Sequence, residues 1–194
     1  MFLHKNKLSS VTPIQRDFLF VNDSKVMYPL LNEIISFVKI HFPSDVHEEK
    51  LINCKQALIE LLTNGVKHSK TDASVITVIL KDHKIELIKS DKGRAFYLEN
   101  YTGWPPISWP LSKDYIGEKI KVYSDDFSNL HAIIQNENRI AFELDEFPIE
   151  NVSIESNLVE HYGLMILTKV SDLFYYVHDA STHTNLFHVV ININ

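Results

Sequence analysis

Apolar positions along the chain follow two rhythms. Met27, Leu30, Leu31, Ile34, Ile35 and Val38 return at helical spacing, and Asp23 or Ser24 just ahead of them can accept the unpaired N–H groups of a first turn. Phe42-Pro43-Ser44-Asp45 closes that stretch. Leu51, Cys54, Leu58, Leu61 and Leu62 repeat the spacing on a second helix, and His161-Tyr162-Gly163-Leu164 opens a third through Met165, Ile166, Leu167 and Val170. Alternation of period two marks Asp17 to Val21, Ser74 to Leu80, Lys84 to Ile88, Ile120 to Tyr123, Leu130 to Gln135 and Arg139 to Leu144. Leu173 to Val177 and Asn185 to Ile193 read as a closing pair of strands. Lys81-Asp82-His83 and Asn136-Glu137-Asn138 have the polar turn character of hairpin connections. This order of elements predicts an α+β fold.

The second helix carries more polar chemistry than its packing face needs. Residues four apart stack on a helix, so Glu60, Asn64 and His68 form one ridge, with Lys67 beside Asn64. Asn64 offers a hard neutral oxygen suited to Mg²⁺, Lys67 a point charge for phosphate, and Glu60 an acceptor for a metal-held water or a general base. The same residues also suit an ordinary amphipathic helix with a solvated polar face. Downstream, Asp91-Lys92-Gly93 sets a carboxylate at a strand end beside backbone that a flat ligand can approach closely. It equally suits a simple Asp-x-Gly turn.

Taken in order, the Asn-bearing helix, hairpin, Asp-x-Gly, long connection, Gly-Leu helix and terminal strand pair resemble the histidine-kinase-like ATPases, the GHKL or Bergerat-fold family. The strand-helix entry is similar to that of its anti-sigma-factor-type serine kinases. The resemblance implies a two-layer sandwich, a mixed, mostly antiparallel sheet with helices covering one face, as a single domain over residues 1–194. Glu60-x-x-x-Asn64-x-x-Lys67-His68 resembles the N box. It implies that Asn64 ligates Mg²⁺, Glu60 lies near the attacking group, and Lys67 with His68 approaches phosphate. Asp91-x-Gly93-x-Ala95 resembles the D-x-G-x-G box, whose Asp accepts the adenine amine, with Ala95 at the second Gly. His161-x-Gly163-Leu164 resembles the G-x-G-L box, with His161 at its first Gly. Thr182 and Thr184 resemble the Thr that supports the adenine-binding Asp.

Those substitutions lower the affinity expected for a nucleotide, because Gly serves where backbone takes a positive φ or approaches phosphate closely. Residues 96–158 also differ from a Gly-rich mobile lid, since the chain has only five Gly. They predict an inserted β-meander. Tyr101 to Pro110 is aromatic and Pro-rich, and Trp104 and Trp109 suit either packing or a partner-binding patch.

Composition narrows the function classes. At 194 residues and 45% hydrophobic content the chain can bury a substantial core. No apolar run follows Met1-Phe2-Leu3-His4-Lys5 as in a secretion signal, and none is long enough for a membrane span, so a cytoplasmic protein without a membrane partner is expected. A formal charge of −6 with no Lys/Arg stripe argues against nucleic acid. Ten His are scattered without zinc spacing, and the single Cys54 lies on an apolar helix face. Two functions are expected from the resemblance. One is an ATP/Mg²⁺-binding regulatory protein, acting as a protein kinase or ATPase on a signalling partner, with a homodimer as a further association. The other is a degenerate, non-catalytic interaction module of the same fold.

Overall fold

The computed structural model describes residues 12–41, 48–97, 109–125, 127–147 and 162–193. The Phe42 to Asp45 stop, Trp104 and His161 lie outside them. In chain order the elements are β1 (Ile14–Val21), α1 (Ser24–His41), α2 (Glu48–His68), β2 (Ala73–Lys81), β3 (Lys84–Asp91), a 3₁₀ turn (Lys113–Tyr115), β4 (Lys119–Ser124), β5 (Ser128–Asn136), β6 (Arg139–Glu146), α3 (Tyr162–Lys169), β7 (Leu173–Asp179) and β8 (Thr184–Asn192). The Asp23 carboxylate accepts the Lys25 N–H at 2.9 Å and so caps α1, as its position ahead of the apolar stripe implies.

The fold is α+β, with, among the described residues, three α-helices and one open eight-stranded sheet in the order β1-β2-β3-β8-β7-β6-β5-β4. Every neighbouring pair runs antiparallel, which corrects the mixed sheet expected from the sequence. The reason lies in the connection from β1 to β2. Two helices in succession carry the chain out and back, so β2 begins beside the end of β1, with Ala73 opposite Val21. A single crossover helix would have returned it to the other end and given a parallel pair. The β4-β5-β6 meander extends the sheet beyond β7.

Outside β6, where Ile140, Ala141 and Phe142 are buried in succession, buried positions largely alternate along the strands, and register places them on one face. Ile85 lies opposite Ile191, Leu87 opposite Val189, and Phe174 opposite Val189 on the far side of β8. This face joins the buried stripes of the helices in one core cluster that includes Ile34, Val38, Leu58, Leu61, Leu62, Leu164 and Leu167. On the opposite face, alternation sets a polar seam. His188 Nε2 lies 2.9 Å from Glu86 Oε2, its Nδ1 meets the Tyr175 hydroxyl, and the Arg139 guanidinium sits 3.6 Å from the centre of the Tyr175 ring.

The β2–β3 and β7–β8 turns use left-handed backbone, the latter at His183 with φ of 52°. Asp82 and His83 have φ of 48° and 59°, the paired positive values of a two-residue turn between Lys81 and Lys84. At the β7–β8 turn, the Asp179 carboxylate accepts from the Ser181 N–H at 2.9 Å and from the Ser181 and Thr182 hydroxyls. Those donors hold its pKa down at about 2.

Cys54 is fully buried on α2, and burial pushes its thiol up to about 12. The native protein is therefore expected to resist Ellman's reagent at pH 8 and to react fully in denaturant. Rapid labelling of the native state would contradict the packing of α2 described above.

Candidate functional site

The end of α2 is tied to the sheet by a polar knot. Asn22, just after β1, donates its amide to the Ser69 hydroxyl and the Thr71 carbonyl, both at 2.8 Å, and accepts from Ser74 at 2.9 Å. Ser69 in turn donates to the Gly65 carbonyl at 2.6 Å. A side chain at Gly65 would crowd this knot. A Cβ there would lie 2.9 Å from Asn22 Oδ1, 3.1 Å from the Phe20 ring and 3.2 Å from Lys89 Cε.

Two loops distant in sequence come to rest on this helix. Gly93 packs so closely on Ser69 that a Cβ would fall 1.7 Å from the Ser69 carbonyl oxygen. Gly163, in the first turn of α3, packs one turn earlier. Its absent Cβ would lie 2.7 Å from Glu60 Oε2 and 3.8 Å from Asn64 Oδ1. Both oxygens thus converge on the start of α3. Glu60 and Asn64 are half-buried, and no described residue hydrogen-bonds either side chain or that of Lys67. Lys67 and His68 are exposed on the last turn. Burial raises the pKa of Glu60, opposed by the charge of Lys67. Leu164 belongs to the core, at 6% exposure.

Asp91 is placed differently from a ligand-facing carboxylate. It is buried and ion-paired with Lys89, two residues earlier on the same inward face. Its Oδ1 accepts the Gly93 N–H and the Asn185 amide, each at 2.9 Å. Three protein donors therefore occupy the group that the sequence suggests for adenine. Support comes from Asn185 and not from Thr184, whose hydroxyl lies 2.9 Å from that of Thr182 instead. Parity explains the shift, because Asn185 is the register partner of Asp91 and adjacent strand residues point to opposite faces.

Asn185 continues the row across β7. Its Oδ1 lies 2.6 Å from the Tyr176 hydroxyl and 2.9 Å from His178 Nδ1. Tyr176 accepts the Phe96 N–H at 2.9 Å, and burial raises the pKa of its phenol. Trp109 donates to the Phe96 carbonyl at 3.0 Å and packs on Tyr176 and His178, at ring separations of 5.1 and 5.5 Å. Beside this row opens a cavity of about 390 Å³, lined among the described residues by Gly93 to Tyr97, Trp109, His178 and His183. Sequence reasoning passed over Lys89, Tyr176, His178 and Asn185. The signal was present, since each is a polar residue at the inward parity of a strand.

No protein-family model matches this chain, and no curated protein is similar to it. Among the described residues no cluster of three His, Cys, Asp or Glu side chains could hold a metal ion, and no helix is long and apolar enough to cross a membrane.

Removing one partner of a buried ion pair strands the other charge. Asp91→Asn is expected to lose about 3–5 kcal/mol in urea unfolding, and adding Lys89→Met should recover most of it. A loss under about 1 kcal/mol would show that Lys89 reaches water without its partner. Gly93→Ala should also destabilise the fold, since backbone and not a mobile side chain blocks the methyl group.

Proposed function

We propose that the chain is a cytoplasmic regulatory protein that binds ATP with Mg²⁺ in a Bergerat-type fold, its helices covering one face of the sheet as a two-layer sandwich. The convergence of two separated segments on α2 carries this reading. Glu60 and Asn64 meet Gly163, and Gly93 seats the loop that follows Asp91 against Ser69. Glu60 and Asn64 are half-buried and no described residue hydrogen-bonds their side chains, which leaves their oxygens open to a ligand or water.

The donor set fits one kind of metal site. Asn64 supplies a single neutral oxygen, so Mg²⁺ would keep several waters and take its remaining oxygens from phosphate. Lys67 and His68 lie on the same turn for the phosphate chain. Glu60, with its raised pKa, is placed to take a proton from a water or from a hydroxyl of a protein partner, the arrangement of a kinase or ATPase. Asp91 orders the loop and the neighbouring amide. A second reading, a non-catalytic interaction module of the same fold, is favoured by the three protein donors on Asp91 and by Ala95 and His161 at the glycine positions.

Calorimetry and thermal shift with ATP test the choice. ATP with Mg²⁺ should bind weakly, and at 100 times its dissociation constant should stabilise the fold by about 2.7 kcal/mol. Mg²⁺ alone should give no shift, because the protein supplies too few ligands. Asn64→Ala should remove the Mg²⁺-dependent part of binding with little change in stability. No shift with millimolar ATP or ADP would favour the interaction module.

Gly163→Ala probes the same site from α3. Its methyl group meets only the end of the flexible Glu60 side chain, so the melting temperature should hold or rise slightly. Any nucleotide turnover should fall with it, as in Glu60→Gln. Unchanged turnover in both variants would take Glu60 out of the mechanism.

A further inference from the structure

Asn185 fixes the proton positions of its neighbours. One end of its amide faces Asp91 Oδ1 at 2.9 Å, the Gly93 carbonyl at 3.0 Å and the Arg94 carbonyl at 3.2 Å. All three are acceptors, so that end is the nitrogen. The oxygen therefore faces Tyr176 and His178 and must receive protons from both. Tyr176 can give its own, since its lone pair already accepts from Phe96. His178 must then carry its proton on Nδ1, which leaves the lone pair of the neutral ring on Nε2. No described residue hydrogen-bonds that nitrogen, and His178 lines the cavity of about 390 Å³, to which it is open.

We infer that this cavity binds a planar heteroaromatic ring bearing an N–H donor, with His178 Nε2 as its acceptor. The walls suit such a ring. Phe96 and Trp109 present aromatic surface, and Trp109 is held in place through its indole N–H and its packing on Tyr176. A metal is disfavoured because, among the described residues, only His178 and His183 line the cavity as ligands. A cationic guest is disfavoured because the Arg94 guanidinium already covers the Tyr97 ring at 4.5 Å. Gly93 both lines the cavity and rests on Ser69, which lies five residues, about 7.5 Å of helix, beyond Asn64. A base held here and phosphates at Asn64 would belong to one adenine nucleotide. The identity of the ring rests on the nucleotide reading, whereas the acceptor and its tautomer do not. The base acceptor is thus His178, with Asp91 acting on it through Asn185.

Adenosine without Mg²⁺ is the probe. Long-range ¹H–¹⁵N spectra of the free protein should show His178 protonated on Nδ1, and adenosine should shift its Nε2 resonance. Purine riboside, which lacks the exocyclic amine, should bind about tenfold more weakly by calorimetry, the loss of one hydrogen bond. An Nε2–H tautomer, no shift at millimolar adenosine, or equal affinity for the two nucleosides would overturn the assignment. Adenosine binding that survives Asn64→Ala supports it. If adenosine binds while Mg²⁺ and phosphate add nothing, the metal-phosphate reading fails and this one stands. If ATP with Mg²⁺ binds and adenosine does not, the reverse holds.

Discussion

A carboxylate in an apolar interior must have its lone pairs matched or it unfolds the region around it. Asp91 meets that demand with the Lys89 ammonium, the Gly93 N–H and the Asn185 amide, and each donor organises a different part of the protein. Gly93 turns the chain after β3 onto α2. Asn185 locks β8 to β3 and orients two side chains of β7. Lys89 runs beneath Gly65, with its ammonium 5.4 Å from the Phe187 ring. A single buried charge thereby couples helix, loop and three strands.

Much of the fold is legible in the sequence because the side-chain rhythm is regular. The apolar stripe from Met27 to Val38, the alternation of Ser74 to Leu80 and the turn at Asp82 and His83 each report a local preference that packing does not overrule. The strand direction is not local. Whether β2 returns parallel or antiparallel depends on how α1 and α2 lie together, which no periodicity encodes. The same division runs through the site. Glu60 and Asn64 stand out because they stack four apart beside the apolar stripe of α2, whereas Asn185 looks like the first polar residue of a strand. Its importance comes from register with Asp91 and His178, which is a property of three strands at once. Asn185 and not the adjacent Thr184 hydrogen-bonds Asp91, and in a strand one residue means the other face.

The two polar rows of the sheet also differ in kind. Glu86, His188 and Tyr175 satisfy one another across the opposite face. The row from Asp91 to His178 satisfies itself at one end only, finishing at a ring nitrogen beside a cavity.

The place of β8 has a consequence for assembly. It is the last strand in chain order, yet it lies between β3 and β7, where it joins two sets of strands that otherwise share no edge. The β2–β3 hairpin and the β4-β5-β6 meander can form from near neighbours. The pairing of β3 with β8 must instead close a loop from Asp91 to Asn185. Loops of that length are slow to close, so the middle of the sheet is completed after its two wings. Until then the unpaired edges of β3 and β7 are open to other chains.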